Sequence, residues 1–336
     1  MVKKKSLKSL PLLSKLTLLL GLLFFTLTST GEKVKLIETP LGFPNINVPN
    51  DNPITKAKID LGKKLFFEKL LSRDSSISCA SCHNPSYAFT DGLQKARGIK
   101  NREVTRNTPT LTNIAYNNSF LRDGVNPSLE AQVIVPIHEK NEFDFHILLV
   151  AERLKMKKEY VALFEKAFGE MPSPKLISNA IATYERTLIS GNSRYDKFMF
   201  HKDSSALSNK EIRGMQLFKK HNCVSCHSGF NFTNGEVVNN GLYENYEDIG
   251  KMRVTLDPSD KGAFKVPTLR NVALTAPYMH DGSVKSLEAV IDHYIKGGYV
   301  NPNKDKRIKG ISLSENEKQD LIAFLECLTD SSFINR

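Results

Sequence analysis

Four of the five cysteines stand in two short segments, SCASCH at 78–83 and NCVSCH at 222–227. In each, two thiols three positions apart are followed at once by a histidine. That spacing lets Cys79/Cys82 and Cys223/Cys226 form thioethers to a haem while His83 or His227 binds the iron from one side. A disulfide or a zinc site also uses paired cysteines, but neither needs the histidine. Zinc pairs moreover close over a much shorter span than the 144 residues between these motifs. Two covalent c-type haems are therefore expected. The other face of each iron then decides the chemistry: two filled faces make an electron carrier, and one vacant face makes a catalyst.

A second repeat bears on that choice. PTLTNIAYNNSFLRDGVNPSLEA (109–131) and PTLRNVALTAPYMHDGSVKSLEA (267–289) are identical at 11 of 23 positions, at a constant offset of 158. The repeat predicts two related domains with one haem each. Just past it, the same offset sets Pro136 against Tyr294. A tyrosine phenolate can bind iron, whereas proline has no side-chain donor. The second haem is expected to be closed by His227 and Tyr294, and the first to have His83 below and nothing above. His293 and Met279 remain alternatives to Tyr294, and His138 is an alternative that would close the first haem. Cys327, in LIAFLECL, reads as a small core residue.

The elements that must position these groups are mainly helices. Apolar residues recur at helical spacing in 53–70, 145–156, 176–188, 208–220 and 314–328. Ser208 with Glu211, and Ser314 with Glu317, form capping-box patterns. Loops rich in Asn, Gly, Pro and Asp separate them. The polar stretch 191–208 interrupts the helical pattern, so the expected domains are 31–195 and 196–336. Residues 1–30 differ: four early lysines precede the uncharged LTLLLGLLFFTL, which reads as an export signal. At 12 residues it is short for a membrane span, which needs roughly 20. Cleavage, or retention as an anchor, is left open. A periplasmic, exported protein is expected. Of the net charge of +11, residues 1–32 carry +4, so +7 is spread over the rest. With no basic block in it, nucleic-acid binding is not expected.

The chain resembles the bacterial dihaem cytochrome c peroxidases, and in detail their MauG-like branch. The resemblance rests on SCASCHNPSYAFTDG, RNTPTLTN, RDGVNPSLEAQVIVPIHEKNEF, CVSCHSG, KVPTLRNVALTAPYMHDGSVKSLEAVIDHY and LIAFLECLTD, and covers nearly all of the chain beyond the leader. It implies a peroxide site built on Gln132 and Glu142, with Pro136 between them. Glu139 competes with Glu142 for the acid–base role. It implies Tyr294, in place of methionine, as the second haem's ligand. It also implies one calcium ion between the domains, held by Asn107, Thr275 and Pro277. Two features depart from the family. Ile99 stands where many members carry a histidine that caps the first haem until reduction, and 84–137 contains no histidine. Arg122 stands where the family often has tryptophan, and the chain has no tryptophan at all.

Three functions follow. The first is a peroxidase that reduces hydrogen peroxide with electrons from a small cytochrome c or cupredoxin. The second is MauG-like oxidation of residues on a partner protein, and the third a dihaem carrier with both irons closed. A homodimer, common in the family, is a further expectation.

Overall fold

The computed structural model describes residues 36–334; the expected export segment at 1–30 lies outside them. Eleven α-helices occur among the described residues: α1 (Lys56–Phe66), α2 (Cys79–Cys82), α3 (Leu129–His138), α4 (Ile147–Lys155), α5 (Lys158–Phe168), α6 (Pro174–Glu185), α7 (Arg194–Phe200), α8 (Asn209–Lys220), α9 (Met252–Thr255), α10 (Leu287–Lys296) and α11 (Glu315–Glu326). The strands β1 (Val237–Val238) and β2 (Phe264–Lys265) form one short antiparallel pair. The mainly helical expectation is met. None of the described helices is long and apolar enough to cross a membrane.

The five periodic segments become α1, α4, α6, α8 and α11, each trimmed by its caps. Both expected capping boxes close, Ser208 with Glu211 and Ser314 with Glu317. The stretch 191–208, read as an interruption, contains α7. Its periodicity is weak because a polar device holds it: Ser193 and Asp196 cap reciprocally, and the Asp196 carboxylate is then gripped by Arg270 from a distant loop.

Two apolar cores form. The first gathers α1, α3, α4, α5 and α6 around Phe66, Phe89 and Phe164; Phe333, from the far end of the chain, packs into it with its ring 5.4 Å from that of Phe89. The second gathers α8, α10 and α11 around Phe218, Phe232, Phe324 and the buried Cys327. Each core is built on one tight helix crossing, α1 on α6 and α8 on α11. At the crossings stand Gly62 and Gly214, where an added Cβ would come within 1.9 Å of the Ala180 and Asp320 carbonyl oxygens respectively. Only glycine permits that approach.

Positions 158 residues apart share local geometry. Asn113 and Asn271 are left-handed (φ 57° and 59°), as are Gly124 and Gly282 (φ 66° and 68°). Ser128 caps α3 and Ser286 caps α10, and both helices run ten residues. Polar contacts tie the cores together. Asn113 donates to the Ser190 carbonyl (2.9 Å) and Asn231 Oδ1 (3.1 Å), and Asn271 Nδ2 donates to Ser190 Oγ (3.0 Å). Arg106 grips Asp248 with two bonds (2.6 and 2.8 Å) and Asp123 with a third (2.8 Å).

Candidate active site

Each CxxCH segment folds as a single tight turn in which the histidine N–H bonds the first cysteine's carbonyl, at 2.9 Å in both copies. This turn sets two thiols and an imidazole side by side. No disulfide links any cysteine of the chain. His83 Nδ1 lies 2.9 Å from the Phe89 carbonyl, and His227 Nδ1 lies 3.1 Å from the Phe232 carbonyl. A carbonyl only accepts, so each Nδ1 carries the proton and each Nε2 keeps a free lone pair. Burial holds both rings below the usual histidine pKa, in the neutral form that metal binding requires. Two thiols and a pre-oriented Nε2 fit haem c at each motif, and at the first a large cavity adjoins Cys82 and His83.

The first cavity measures about 950 Å³ and brings the expected groups together. Cys82 and His83 line it together with Gln132 and Pro136 from α3 and Glu142 from the loop that follows. Gln132 and Pro136 are one helical turn apart and so share a face of α3. His138 falls on a different face. It is exposed, its Nε2 accepts from the Ile147 N–H (3.0 Å), and its ring stacks on His146 at 4.7 Å. The structure therefore gives no support to His138 as a cap.

Glu142 sits on a clamped loop. Its N–H bonds the Glu139 carbonyl and its own carbonyl takes the Ile99 N–H, both at 3.0 Å. Phe143 N–H bonds the Pro136 carbonyl at 3.2 Å, and Arg102 holds the Lys140 carbonyl and Asp144. Burial, reinforced by the neighbouring Glu139 charge, pushes the Glu142 carboxyl up to about 7. Ile99, where a capping histidine would stand, is buried and serves as a backbone support of this loop. The neighbouring Gly98 has no room for a side chain, since a Cβ there would lie 1.9 Å from the Asn141 carbonyl oxygen. On the acid–base role that the resemblance implies for Glu142, Gly98→Ala is expected to shift this loop and slow peroxide consumption by about 10²-fold, with haem content unchanged by pyridine haemochrome assay.

At the second motif, Tyr294 lies on α10 in the neighbourhood of Cys223, Cys226 and the Asn240 side chain, and burial pushes its hydroxyl above the usual tyrosine pKa. The same Asn240 amide donates to Met279 Sδ (3.4 Å), and the Asn240 carbonyl takes His293 Nε2 (3.1 Å). His293 thus has one ring nitrogen committed to the backbone. Asn240, which bonds two of the three candidate ligands and neighbours the third, was not singled out in the sequence; it sits in the loop VVNNGL, which carries no periodic signal. A separate cavity of about 430 Å³ touches His227 but not Tyr294, and is lined chiefly by aromatic residues such as Tyr195, Phe218 and Phe230.

Of the three expected calcium ligands, Asn107 lines the large cavity, whereas Thr275 and Pro277 do not. The Asn107 N–H bonds the His280 carbonyl (2.9 Å), three residues beyond Pro277. The Asn107 side-chain oxygen accepts from Arg122, whose Nε also donates to the Asn107 carbonyl (3.1 Å).

Residues 56–204 match the profile of the di-haem cytochrome c peroxidases. The methylamine utilization protein MauG of Methylorubrum extorquens is 43% identical over 286 residues, covering 83% of this chain and 80% of that one. The cytochrome c551 peroxidase of Nitrosomonas europaea is 34% identical over 275 residues, covering 80% and 79%. A solved MauG-like protein associated with microbial copper homeostasis superposes with a TM-score of 0.82 at 33% identity, covering 88% of this chain and 96% of that one. At this identity and coverage, with two haem-binding segments in place, the chain belongs to the dihaem cytochrome c peroxidase and MauG family.

Proposed function

We infer that the protein is a dihaem c-type peroxidase that reduces hydrogen peroxide at the haem held by Cys79, Cys82 and His83. The observation that carries this is the single cavity lined together by His83, Gln132, Pro136 and Glu142. Proline offers no donor at the helical position where the second half has Tyr294.

Haem c supplies an iron that binds peroxide and accepts its oxidising equivalents. The chain's own groups do the rest. Glu142, ionised above about pH 7, takes the proton from the inner oxygen of peroxide and returns it to the outer one, which leaves as water. Gln132 orients the peroxide from the same helix face as Pro136. His83, oriented through Nδ1 by the Phe89 carbonyl, would hold the iron through its free Nε2. In this reading His227 and Tyr294 would hold the second haem, whose chemistry would be electron transfer from a small cytochrome c or cupredoxin. Two haem domains related by duplication, export to the periplasm and a homodimer complete the proposal.

The second reading is MauG-like oxidation of residues on a partner protein. The 43% identity to that enzyme and the tyrosine at 294 favour it. Turnover with reduced cytochrome c separates the two readings.

The test is low-temperature EPR of the ferric protein loaded with both haems. One high-spin and one low-spin signal are expected, with the high-spin signal lost on one equivalent of peroxide. Two low-spin signals indifferent to peroxide would reduce the protein to a carrier.

A further inference from the structure

The calcium implied by the family needs the Asn107 side-chain oxygen as a ligand, and the residues present do not fit it. The Asn107 amide is fixed: Nδ2 donates to the Leu93 carbonyl (3.0 Å) and, more weakly, to that of Gln94 (3.4 Å). Oδ1 therefore points away from those carbonyls, and the group it meets is the Arg122 guanidinium. Arg122 engages Asn107 twice, through Nη2 to Oδ1 and Nε to the main-chain oxygen. A calcium ion bound at 2.3–2.6 Å from Oδ1 would share that oxygen with a guanidinium already at hydrogen-bond distance.

The surrounding charge makes a second cation less welcome still. Among the described residues Arg122 has no carboxylate at ion-pair distance; Asp91 and Asp281 act on it only from further off, while Arg106 repels it. Lys265 also lines this cavity and feels the Arg122 charge. Arg122 belongs to the segment where the first half meets the second. Its carbonyl accepts from the Lys265 N–H (2.8 Å), and its partner Asn107 bonds the His280 carbonyl (2.9 Å).

We propose that the Arg122 guanidinium takes the place of the calcium ion, holding Asn107 against the 277–282 segment, and that the native chain binds no calcium there. The position that lacks the family's indole thus supplies a fixed cation that no chelator removes. The reading does not depend on which iron reacts with peroxide.

The test is calcium content by mass spectrometry of the dihaem protein, equilibrated in millimolar calcium chloride and desalted, together with Tm in calcium chloride against EGTA. The native protein and Asn107→Ala are expected to hold the same calcium content, and the native Tm to be indifferent to chelation. Arg122→Gln removes the guanidinium and is expected to gain close to one calcium per chain and a Tm that rises with calcium. Calcium in the native protein that Asn107→Ala removes would overturn the proposal. So would a folded Arg122→Gln protein that stays free of calcium. If Arg122→Gln fails to fold, the native and Asn107→Ala comparison still decides, because it needs no change at Arg122.

Discussion

Glu142→Gln is expected to slow peroxide consumption by about 10²–10⁴-fold, the usual worth of a positioned acid–base group, with both haems still attached. Glutamine keeps the shape and polarity of the side chain but cannot take up a proton, so the loss isolates proton transfer from packing. The pH profile provides a second, independent readout. The carboxyl is pushed up to about 7 by burial first and by Glu139 second, and in the proposed mechanism the base form is the active one. Native turnover should therefore rise with pH through neutrality, and Glu142→Gln should lose that rise. Glu139→Gln removes the like charge, so the midpoint should fall while most of the rate survives. If Glu139→Gln instead carried the large loss, the two glutamates would exchange roles. The same shift has a stability consequence of known sign. The folded state holds this proton more tightly than the unfolded chain, where the carboxyl titrates near 4.5. The contribution to stability is full below that value and is lost as pH rises through about 7.

Arg270→Met is expected to cost about 3–5 kcal/mol of folding stability, the loss typical when one partner of a buried ion pair is removed. Arg270 is fully buried, and its two terminal nitrogens grip Asp196 at 2.9 and 2.8 Å. Its Nε donates to the Phe230 carbonyl (2.7 Å), and its plane lies over the Phe43 ring at 4.5 Å. Methionine fills much of the volume but leaves the Asp196 charge buried and uncompensated. It also frees the 228–232 loop, whose Phe232 carbonyl orients His227. Urea unfolding followed by circular dichroism should show the destabilisation, and the second haem's low-spin EPR signal should broaden. The double variant Arg270→Met/Asp196→Leu should recover much of the stability, because no unpaired charge then remains. A single variant as stable as the native protein would mean that Asp196 finds water or another cation.

Much of this protein could be read from its sequence because the chemistry is local there. A CxxCH segment is one turn long, so its spacing alone sets thiols and imidazole together. The same holds for the capping boxes at Ser208 and Ser314, where both partners lie within a single helical turn. The 158-residue offset placed Pro136 and Tyr294 at matching points of two ten-residue helices. What the sequence left undecided involves partners far apart in the chain. His138 and Glu142 both follow Pro136 closely, yet helix geometry turns one out to solvent while the loop clamp from Ile99 and Arg102 turns the other in. Helix α7 has a poor apolar period and depends on Arg270, 74 residues from Asp196. Phe333 enters the first core from the end of the second half. Arg122 reads in sequence as a missing tryptophan; only the fold brings its guanidinium onto Asn107, 15 residues away. Short-range spacing fixes which groups can react. Long-range packing fixes which of them meet, because burial, loop closure and charge pairing are settled only when distant segments come together.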